Sequence, residues 1–200
     1  MKKTVLAVLA LLWVSSPAGA RSLKPGDKAP EFKLKDALGK VHRLSDYKGR
    51  VVILEWTNPG CPYVRKHYDS YNMQRMQKEY TKKGMVWFSV CSSAPGKQGH
   101  MTPKQARKQK RKDHSFATAL LLDPDGKVGR KYGAKTTPHF FIVDKKGKIA
   151  YMGAVDDKPT HDREDIKKAR SYVREALKCL VRGWKIEDPS TKPYGCSVKY

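Results

Sequence analysis

The sequence predicts an α/β fold in which helices flank a central mixed β-sheet. Two runs of β-branched and aromatic residues, 51–56 and 85–90, enclose a stretch with helical spacing, which predicts a parallel strand pair joined by a crossover helix. Two further strand-like runs within 139–152 flank a turn and predict an antiparallel hairpin. An amphipathic stretch over 162–183 predicts a last helix, followed by an irregular tail.

Composition narrows the class of protein. The chain has 200 residues, 42 Lys and Arg against 19 Asp and Glu, a net charge of +23 and 39% apolar residues. The abundance of aromatic and β-branched residues excludes a disordered chain, and the presence of one long apolar run excludes a multi-spanning membrane protein. We expect one globular domain over 21–200, with 184–200 as a C-terminal tail.

The N-terminal segment resembles an export signal. Lys2 and Lys3 precede the apolar run 4–14, and the small residues 18–20 follow it. The run is too short to span a membrane, which needs about 20 apolar residues. We therefore predict a signal peptide over 1–20 and an exported protein, periplasmic or secreted, that keeps all four cysteines.

The first half of the domain divides into short elements. Residues 21–50 alternate between turn signals and short apolar stretches, which favours edge strands. After the strand 51–56, the stretch 62–83 has apolar residues at helical spacing, with Pro62 in the first turn and Gly84 beyond the end. It predicts one helix, followed by the strand 85–90.

The second half continues the alternation of helices and strands. Thr102, Pro103 and Gln105 form a capping-box pattern at the start of a strongly basic helix. A third strand is predicted at 119–122. The hairpin strands are 139–143 and 148–152, and the tail from 189 to 200, with two prolines and a glycine, is predicted to be irregular.

Cys61 follows the first buried strand directly and precedes the predicted helix. At a helix N-terminus, free backbone N–H groups and the helix dipole stabilise a thiolate. Arg65 and Lys66, within the first turn or so, act in the same direction. The sequence therefore predicts a nucleophilic sulfur at this position.

The letters EWTNPGCPYV at 55–64 resemble the active-site turn of the thioredoxin superfamily, in its redoxin branch of exported thiol-disulfide proteins and alkyl hydroperoxide reductase/thiol-specific antioxidant proteins. Segments 36–50, 136–138 and 144–149 resemble other parts of that branch in the same order. The resemblance covers roughly 24–153. It implies a thioredoxin-like fold and a thiol-dependent oxidoreductase, peroxiredoxin-like or exchanging disulfides.

Two departures separate the site from familiar members of that superfamily. Val64 stands where thioredoxin-type enzymes carry the second cysteine of CxxC, so Cys61 has no resolving partner in its own turn. Peroxiredoxins carry Thr or Ser three residues before the reactive cysteine and Pro seven before it, whereas this chain has Asn58 and Leu54. Thr57, one residue from the expected place, remains a candidate site residue.

A lone nucleophilic cysteine needs a second thiol to complete a redox cycle. Cys196, in the irregular tail, is the first candidate for this resolving thiol, against the alternative of an unpaired or merely structural cysteine. Cys91 follows the second buried strand and is a weaker candidate, because small buried residues are common at strand ends. Cys179, late in the last helix, is interpreted as a packing residue.

The resemblance further implies that Pro138 is a cis-proline facing Cys61. Thr137 would then turn its backbone N–H and C=O toward the sulfur, where they could pair with an extended substrate peptide or orient a small oxidant. His139 could influence the thiolate, but a strand histidine satisfied by its neighbours is the preferred interpretation. His67 is predicted to lie on the surface.

The stretch 104–112 holds six cations in nine residues. Export and the lack of interleaved aromatic residues argue against nucleic-acid binding. We interpret the run as a solvated helix face, with weak association with an anionic membrane surface as a further possibility. Arg65 stands where a copper-binding CxxxC pair would need its second cysteine, so we expect no metal and no other cofactor.

Three functions remain open from the sequence. The first is a thiol-dependent oxidoreductase in which Cys61 reduces peroxide or exchanges protein disulfides and an external thiol restores it. The second is a disulfide- or peptide-binding module that uses the cis-proline edge without turnover. The third is a structural protein on a thioredoxin-like fold, held by a Cys61 disulfide that never opens.

Overall fold

The computed structural model describes residues 22–200, so the predicted signal peptide over 1–20 lies outside the described residues. The strands are β1 (Lys33–Asp36), β2 (Val41–Arg43), β3 (Val52–Trp56), β4 (Val86–Cys91), β5 (Ala119–Leu122), β6 (Thr136–Thr137), β7 (His139–Val143), β8 (Ile149–Gly153) and β9 (Cys196–Ser197). The α-helices are α1 (Pro62–Asp69), α2 (Asn72–Lys82), α3 (Pro103–Lys112), α4 (Lys127–Tyr132) and α5 (Tyr172–Arg182).

Seven strands form the main sheet in the order β2-β1-β5-β4-β3-β7-β8. Strand β3 runs parallel to β4, and β4 runs parallel to β5. Strand β7 pairs antiparallel with β3 and with β8, which confirms the predicted hairpin and the mixed sheet. The short strands β6 and β9 form a separate antiparallel pair beside this sheet.

Burial on both faces explains why β3 is wholly apolar apart from Glu55. Ile53 faces a cluster that also contains Trp87, Phe140 and residues of α1, α2 and α5. Leu54 faces a second cluster with Phe88 and Phe141. Because alternate residues of a strand point to opposite faces, a central strand covered on both sides needs a continuous apolar run.

The single helix predicted over 62–83 is wrong, because the chain breaks between α1 and α2. Tyr71 adopts a left-handed backbone with φ of 59°, which ends one helix and starts the next. The break is held from inside the fold: the Gln74 side-chain amide donates to the carbonyls of Tyr68 (2.9 Å) and Asp113 (2.7 Å). Apolar spacing continues across the break, so periodicity alone does not show it.

The last helix is also shorter than predicted. Residues Glu164–Lys168 form a 3₁₀ turn, Ala169 is extended, and α5 begins after Ser171, whose hydroxyl accepts from the Arg174 N–H. The capping box of α3 is confirmed: Thr102 Oγ1 accepts from the Gln105 N–H, and Gln105 Oε1 accepts from the Thr102 N–H. Within residues 22–200, no helix combines the length and apolar character needed to cross a membrane.

Candidate active site

The turn after β3 delivers Cys61 to the start of α1. Asn58 shapes this turn: its carbonyl accepts from the Cys61 N–H (3.0 Å) and its Oδ1 accepts from the Gly60 N–H (2.8 Å). Cys61 is the N-cap residue of α1, and its carbonyl accepts from the Arg65 N–H. Its side chain is 0% exposed. The predicted position at a strand-to-helix turn is therefore confirmed.

The cis-proline loop lies directly against this sulfur. The Thr137–Pro138 peptide bond is cis, as the resemblance implies. Cys61 Sγ lies 3.1 Å from the Thr137 carbonyl oxygen, so the thiol form donates a hydrogen bond there. Thr137 itself is buried and belongs to the short strand β6.

Cys196 reaches the same place from the tail. In the β6–β9 pair, Cys196 stands opposite Thr137 and Ser197 opposite Thr136. The tail, predicted to be irregular throughout, therefore contains a short strand. The structure thus brings Cys61, Thr137, Pro138 and Cys196 together, although Cys61 and Cys196 are 135 positions apart in the sequence.

The two sulfurs have opposite pKa shifts. Burial alone would raise the pKa of Cys61, but hydrogen bonds from the side chains of Cys196 and Thr137 and from the Cys196 and Val64 backbone hold it below its ordinary value. Burial and the neighbouring Cys61 sulfur raise the pKa of Cys196 to about 11. Cys61 is therefore the sulfur that ionises first, with Cys196 beside it as the protonated thiol.

Other predicted contributors to the site have different contacts. Arg65 pairs with Asp69 and Asp113, and Lys66 is buried with its ammonium group donating to the Lys158 carbonyl (2.8 Å). The two cations therefore do not stabilise the Cys61 thiolate in the way the sequence predicts. Hydrogen bonds from Cys196, Thr137 and the Val64 backbone do so instead. Thr57 is buried, its N–H donates to the Val90 carbonyl, and none of its hydrogen bonds among the described residues reaches Cys61.

The remaining cysteines lie away from this pair. Cys91 Sγ donates to the Gly99 carbonyl (3.2 Å) and packs in a different apolar cluster from Cys61. Burial raises the pKa of the Cys91 thiol, which makes it a poor nucleophile. Cys179 lies on α5 and is partly exposed, so it is less buried than the predicted packing role requires.

The prediction that His67 lies on the surface is wrong. The His67 side chain is 0% exposed, and burial, with Lys66 adjacent, lowers its pKa to about 3. His139 is also buried, and its ring Nδ1 accepts from the Lys135 N–H (3.2 Å). Burial lowers the pKa of His139 to about 3, so both rings are neutral at ordinary pH.

A polar cluster beside the site has no counterpart in the sequence-based predictions. The buried side chains of Lys66, His67 and Asp156 meet Tyr194 of the tail, whose hydroxyl donates to Asp156 Oδ1. The Lys66 ammonium lies 3.9 Å from Asp156 Oδ2. Lys66 and His67 are adjacent to the active-site turn in sequence, but nothing in the pattern connects them with positions 156 and 194.

The basic run 104–112 lies mostly on an exposed helix face. It forms α3, where Ala106 is buried while Lys104, Lys108, Arg111 and Lys112 are exposed. Within residues 22–200, no three His, Cys, Asp or Glu side chains are grouped so as to hold a metal ion.

The sheet, the cis-proline loop and a cysteine at the start of α1 define the class: a thioredoxin-like fold with a buried thiol beside its cis-proline loop. The chain belongs to the AhpC/TSA family, whose profile matches residues 25–152. The protein is accordingly a thiol-dependent oxidoreductase of redoxin type.

Individual relatives agree with this assignment. The thiol-disulfide oxidoreductase ResA of Geobacillus thermodenitrificans is 26% identical over 149 residues, which cover 74% of this chain and 78% of ResA. A Mycobacterium tuberculosis protein whose name assigns it provisionally to the peroxiredoxins is 30% identical over 143 residues, covering 64% of this chain and 82% of that protein.

A solved structure shares the fold over nearly the whole described chain. It is that of an uncharacterized conserved protein from Geobacillus kaustophilus, with a TM-score of 0.74 and 27% identity, and the alignment covers 89% of this chain and 93% of that one. The shared fold therefore extends beyond the family match, into the region that contains α5 and the tail.

Proposed function

We propose that Cys61 and Cys196 form the redox pair of this oxidoreductase, with Cys61 as the nucleophile and Cys196 as the resolving thiol. The observation that carries the proposal is that both cysteines meet at Thr137: Cys61 Sγ lies 3.1 Å from its carbonyl oxygen, and Cys196 pairs with it across β6 and β9. Cys196 in the tail would provide the second thiol that a CxxC motif places at position 64, where this chain has Val64.

The cycle needs an oxidant and an external thiol. With a peroxide, the Cys61 thiolate attacks one oxygen, the O–O bond breaks, and Cys61 sulfenic acid and an alcohol or water form after protonation. The Cys196 thiol then displaces water and closes the Cys61–Cys196 disulfide. With a disulfide substrate, Cys61 forms a mixed disulfide and releases one thiolate, and Cys196 displaces the second.

The differing pKa values fit these roles. The thiolate is the attacking form, and the hydrogen bonds to Cys61 favour its ionisation, whereas the pKa of Cys196 is raised to about 11. Two molecules of an external thiol reduce the disulfide: the first forms a mixed disulfide with one sulfur, and the second releases it as the oxidised external disulfide. The Cys61 sulfur, with its lowered pKa, is the better leaving group in the first step.

Location and partners are part of the same proposal. An export signal over residues 1–20 would deliver the protein to the periplasm or the exterior, where disulfides persist and its electrons must come from a dedicated thiol donor. Its partners would be a peroxide or a disulfide-bearing substrate and that donor. The exposed cations of α3 would add weak attraction to an anionic membrane surface.

Thiol mapping by mass spectrometry tests this proposal. The reduced protein is treated with an equimolar amount of hydrogen peroxide or, in parallel, glutathione disulfide, and its thiols are then located. We expect a Cys61–Cys196 disulfide with at least one oxidant in the wild type and in the Cys179→Ser control. In Cys196→Ser, Cys61 should stop at sulfenic acid or the glutathione mixed disulfide.

The pattern of reaction also identifies the oxidant. Rapid reaction with peroxide alone indicates a peroxidase, and reaction with glutathione disulfide alone indicates a thiol-exchange protein. If Cys61 stays reduced with both oxidants at neutral pH, or if oxidised Cys61 pairs with Cys91 or Cys179 instead, the proposal is wrong.

A further inference from the structure

The tail passes over the active site as an ordered strap, defined here as residues 189–200. It is first attached beside β8: the Met152 N–H donates to the Pro189 carbonyl, and the Thr191 N–H donates to the Met152 carbonyl, both at 3.0 Å. Thr191 Oγ1 accepts from the Ala154 N–H (3.0 Å). The strap is thus hydrogen-bonded to the fold before it reaches Cys61.

Tyr194 anchors the strap next to the reactive sulfur. Its hydroxyl donates to the buried Asp156, its ring packs edge-on against Tyr63 with centroids 5.9 Å apart, and the Lys66 ammonium lies 5.9 Å from the ring centroid. Tyr194 and Cys196 both pack against the apolar cluster that contains Cys61.

Gly195 lets the strap approach the cis-proline loop closely. Its φ is +123°, and a Cβ atom at this position would lie 2.1 Å from the Thr137 carbonyl oxygen and 2.9 Å from its carbonyl carbon. Such distances are far inside van der Waals contact and involve backbone atoms that cannot move aside freely. Only glycine therefore allows the next residue, Cys196, to pair with Thr137.

A second anchor lies beyond Cys196. The Val198 N–H donates to the Lys135 carbonyl (3.0 Å), and the Tyr200 hydroxyl donates to the Ala134 carbonyl (2.8 Å). The Arg130 guanidinium stacks over the Tyr200 ring at 4.4 Å. The strap is therefore held on both sides of the β6–β9 pair, and the pair is not an isolated contact.

The edge that the strap covers is the one an extended polypeptide would use. A peptide binds a free strand edge by adding its own backbone hydrogen bonds to it, and Thr136 and Thr137 offer such an edge beside Cys61. In this protein Cys196 and Ser197 already take that place. A polypeptide and the strap cannot pair with Thr137 at the same time.

We infer that the strap is a built-in competitor for the peptide-binding edge, which selects small oxidants and low-molecular-weight disulfides over extended polypeptide substrates. The inference rests on the proposed function, because it takes Cys61 as the reacting sulfur. A small molecule needs access to that sulfur alone and does not need the β6 edge to be free. An extended polypeptide needs the whole edge free, so its apparent affinity falls by the fraction of time for which the strap is undocked.

The test compares two activated disulfides of different length. One is a proline-free peptide of about ten residues whose single cysteine carries a pyridine-2-thiol group, and the other is cysteamine with the same group; the length is enough to extend past a two-residue strand pair. The Cys61 thiolate attacks the substrate sulfur, forms a mixed disulfide and releases pyridine-2-thione, which is followed by absorbance. All proteins carry Cys179→Ser and Cys196→Ser, so that the mixed disulfide at Cys61 persists and peptide mapping locates it.

Gly195→Ala releases the strap, and Gly147→Ala is its matched control. Gly147 also has a positive φ, of +77°, but a Cβ atom added there would meet nothing within 4 Å, so alanine adds backbone strain without touching the strap. We expect Gly195→Ala to raise the ratio of peptide to cysteamine rate constants at Cys61 about tenfold. This is the change expected if the β6 edge is free about a tenth of the time in the parent protein and always free in the variant. Gly147→Ala should leave that ratio unchanged.

A second variant guards against a local effect of alanine at 195. Tyr200→Ala removes the distant anchor without altering any residue in contact with Cys61, and it should raise the same ratio. The ratio cancels any change in the intrinsic reactivity of Cys61. Unchanged ratios in both strap variants would overturn the inference and leave the proposed redox pair intact. If Cys61 reacts with neither probe in any of the proteins, the proposed function is wrong, and the strap inference fails with it.

Discussion

At the scale of single residues, the buried carboxyl of Glu55 and the buried thiol of Cys61 have pKa values shifted in opposite directions. Glu55 accepts hydrogen bonds from Tyr68, Gln77, Trp87 and Ser89, yet burial outweighs them and raises its pKa to about 7. At Cys61 the hydrogen bonds outweigh burial and lower the pKa. The sulfur of the active site is therefore more readily ionised than its burial alone would allow.

The raised pKa of Glu55 makes stability depend on pH. Between 4.5, its ordinary value, and about 7, the folded state keeps a proton that the unfolded state releases. The contribution of Glu55 to the free energy of unfolding therefore falls as pH rises through this range, by about 3 kcal/mol, whereas the buried neutral rings of His67 and His139 contribute in the opposite direction below pH 6.5. The free energy of unfolding from urea titration of the wild type, taken relative to that of Glu55→Gln at each pH, should show this fall, because the variant side chain does not ionise and the histidines are the same in both proteins.

The control for this measurement is Glu79→Gln. Glu79 is partly exposed, and its hydrogen bonds and ion pairs with Lys83 and Arg174 lower its pKa, so it releases its proton below that range when folded. The free energy of unfolding of the wild type relative to Glu79→Gln should therefore show no comparable fall toward pH 7. A difference between the wild type and Glu55→Gln that does not change with pH would contradict the raised pKa of Glu55.

At the scale of secondary-structure elements, the break between α1 and α2 contains one residue with an unfavourable backbone conformation. Tyr71 has a left-handed conformation, with φ of 59°, and its side chain is 54% exposed. A side chain with a Cβ atom is disfavoured in this region, whereas glycine adopts it without penalty. The tertiary contacts of Gln74 with Tyr68 and Asp113 hold the break in place despite this cost.

Glycine at position 71 should therefore stabilise the protein. We expect Tyr71→Gly to raise the free energy of unfolding by about 1 kcal/mol, because it relieves the left-handed strain. Chemical denaturation measures the change. Lys78→Gly, an exposed position inside the same helix α2, should instead lower stability by about 1 kcal/mol, and a loss of stability in both variants would contradict the explanation.

At the scale of the whole molecule, the two cysteines of the proposed pair connect distant parts of the chain. Cys61 follows β3 near the centre of the sheet, and Cys196 lies in the strap, 135 positions further along. A covalent link between them would restrict the unfolded chain over most of its length. Oxidation would also fasten the strap to the site.

Oxidation should stabilise the fold. A disulfide that closes a loop of this length contributes about 5 kcal/mol in the chain-entropy model, by lowering the entropy of the unfolded state. We expect the oxidised protein to unfold at a higher urea concentration and a higher Tm than the reduced protein. The difference should vanish in Cys196→Ser and persist in Cys179→Ser; equal stability of the two redox forms would count against the pair.

Local pattern was sufficient for much of the molecule. The buried runs at 51–56 and 85–90, the hairpin after Pro138 and the capping box at Thr102 all depend on neighbours within a few residues, and the structure confirms them. Helix ends were less predictable, because the Gln74 side chain holds the break after α1 partly through the carbonyl of Asp113, a residue far away in the sequence. Helix α4 was not predicted, although the Asp123 carboxylate accepts from N–H groups of its first turn.

The amino-acid sequence by itself determined the α/β class, the redoxin resemblance and the position of Cys61 at a strand-to-helix turn, because each depends on short-range periodicity or on residues adjacent in the chain. Only the tertiary structure decided that Cys196 pairs with Thr137, that His67 is buried and that Tyr194 meets Asp156. These contacts join segments far apart in sequence. Their partners are selected by how the sheet, α1 and the strap pack together, and no local spacing carries that information.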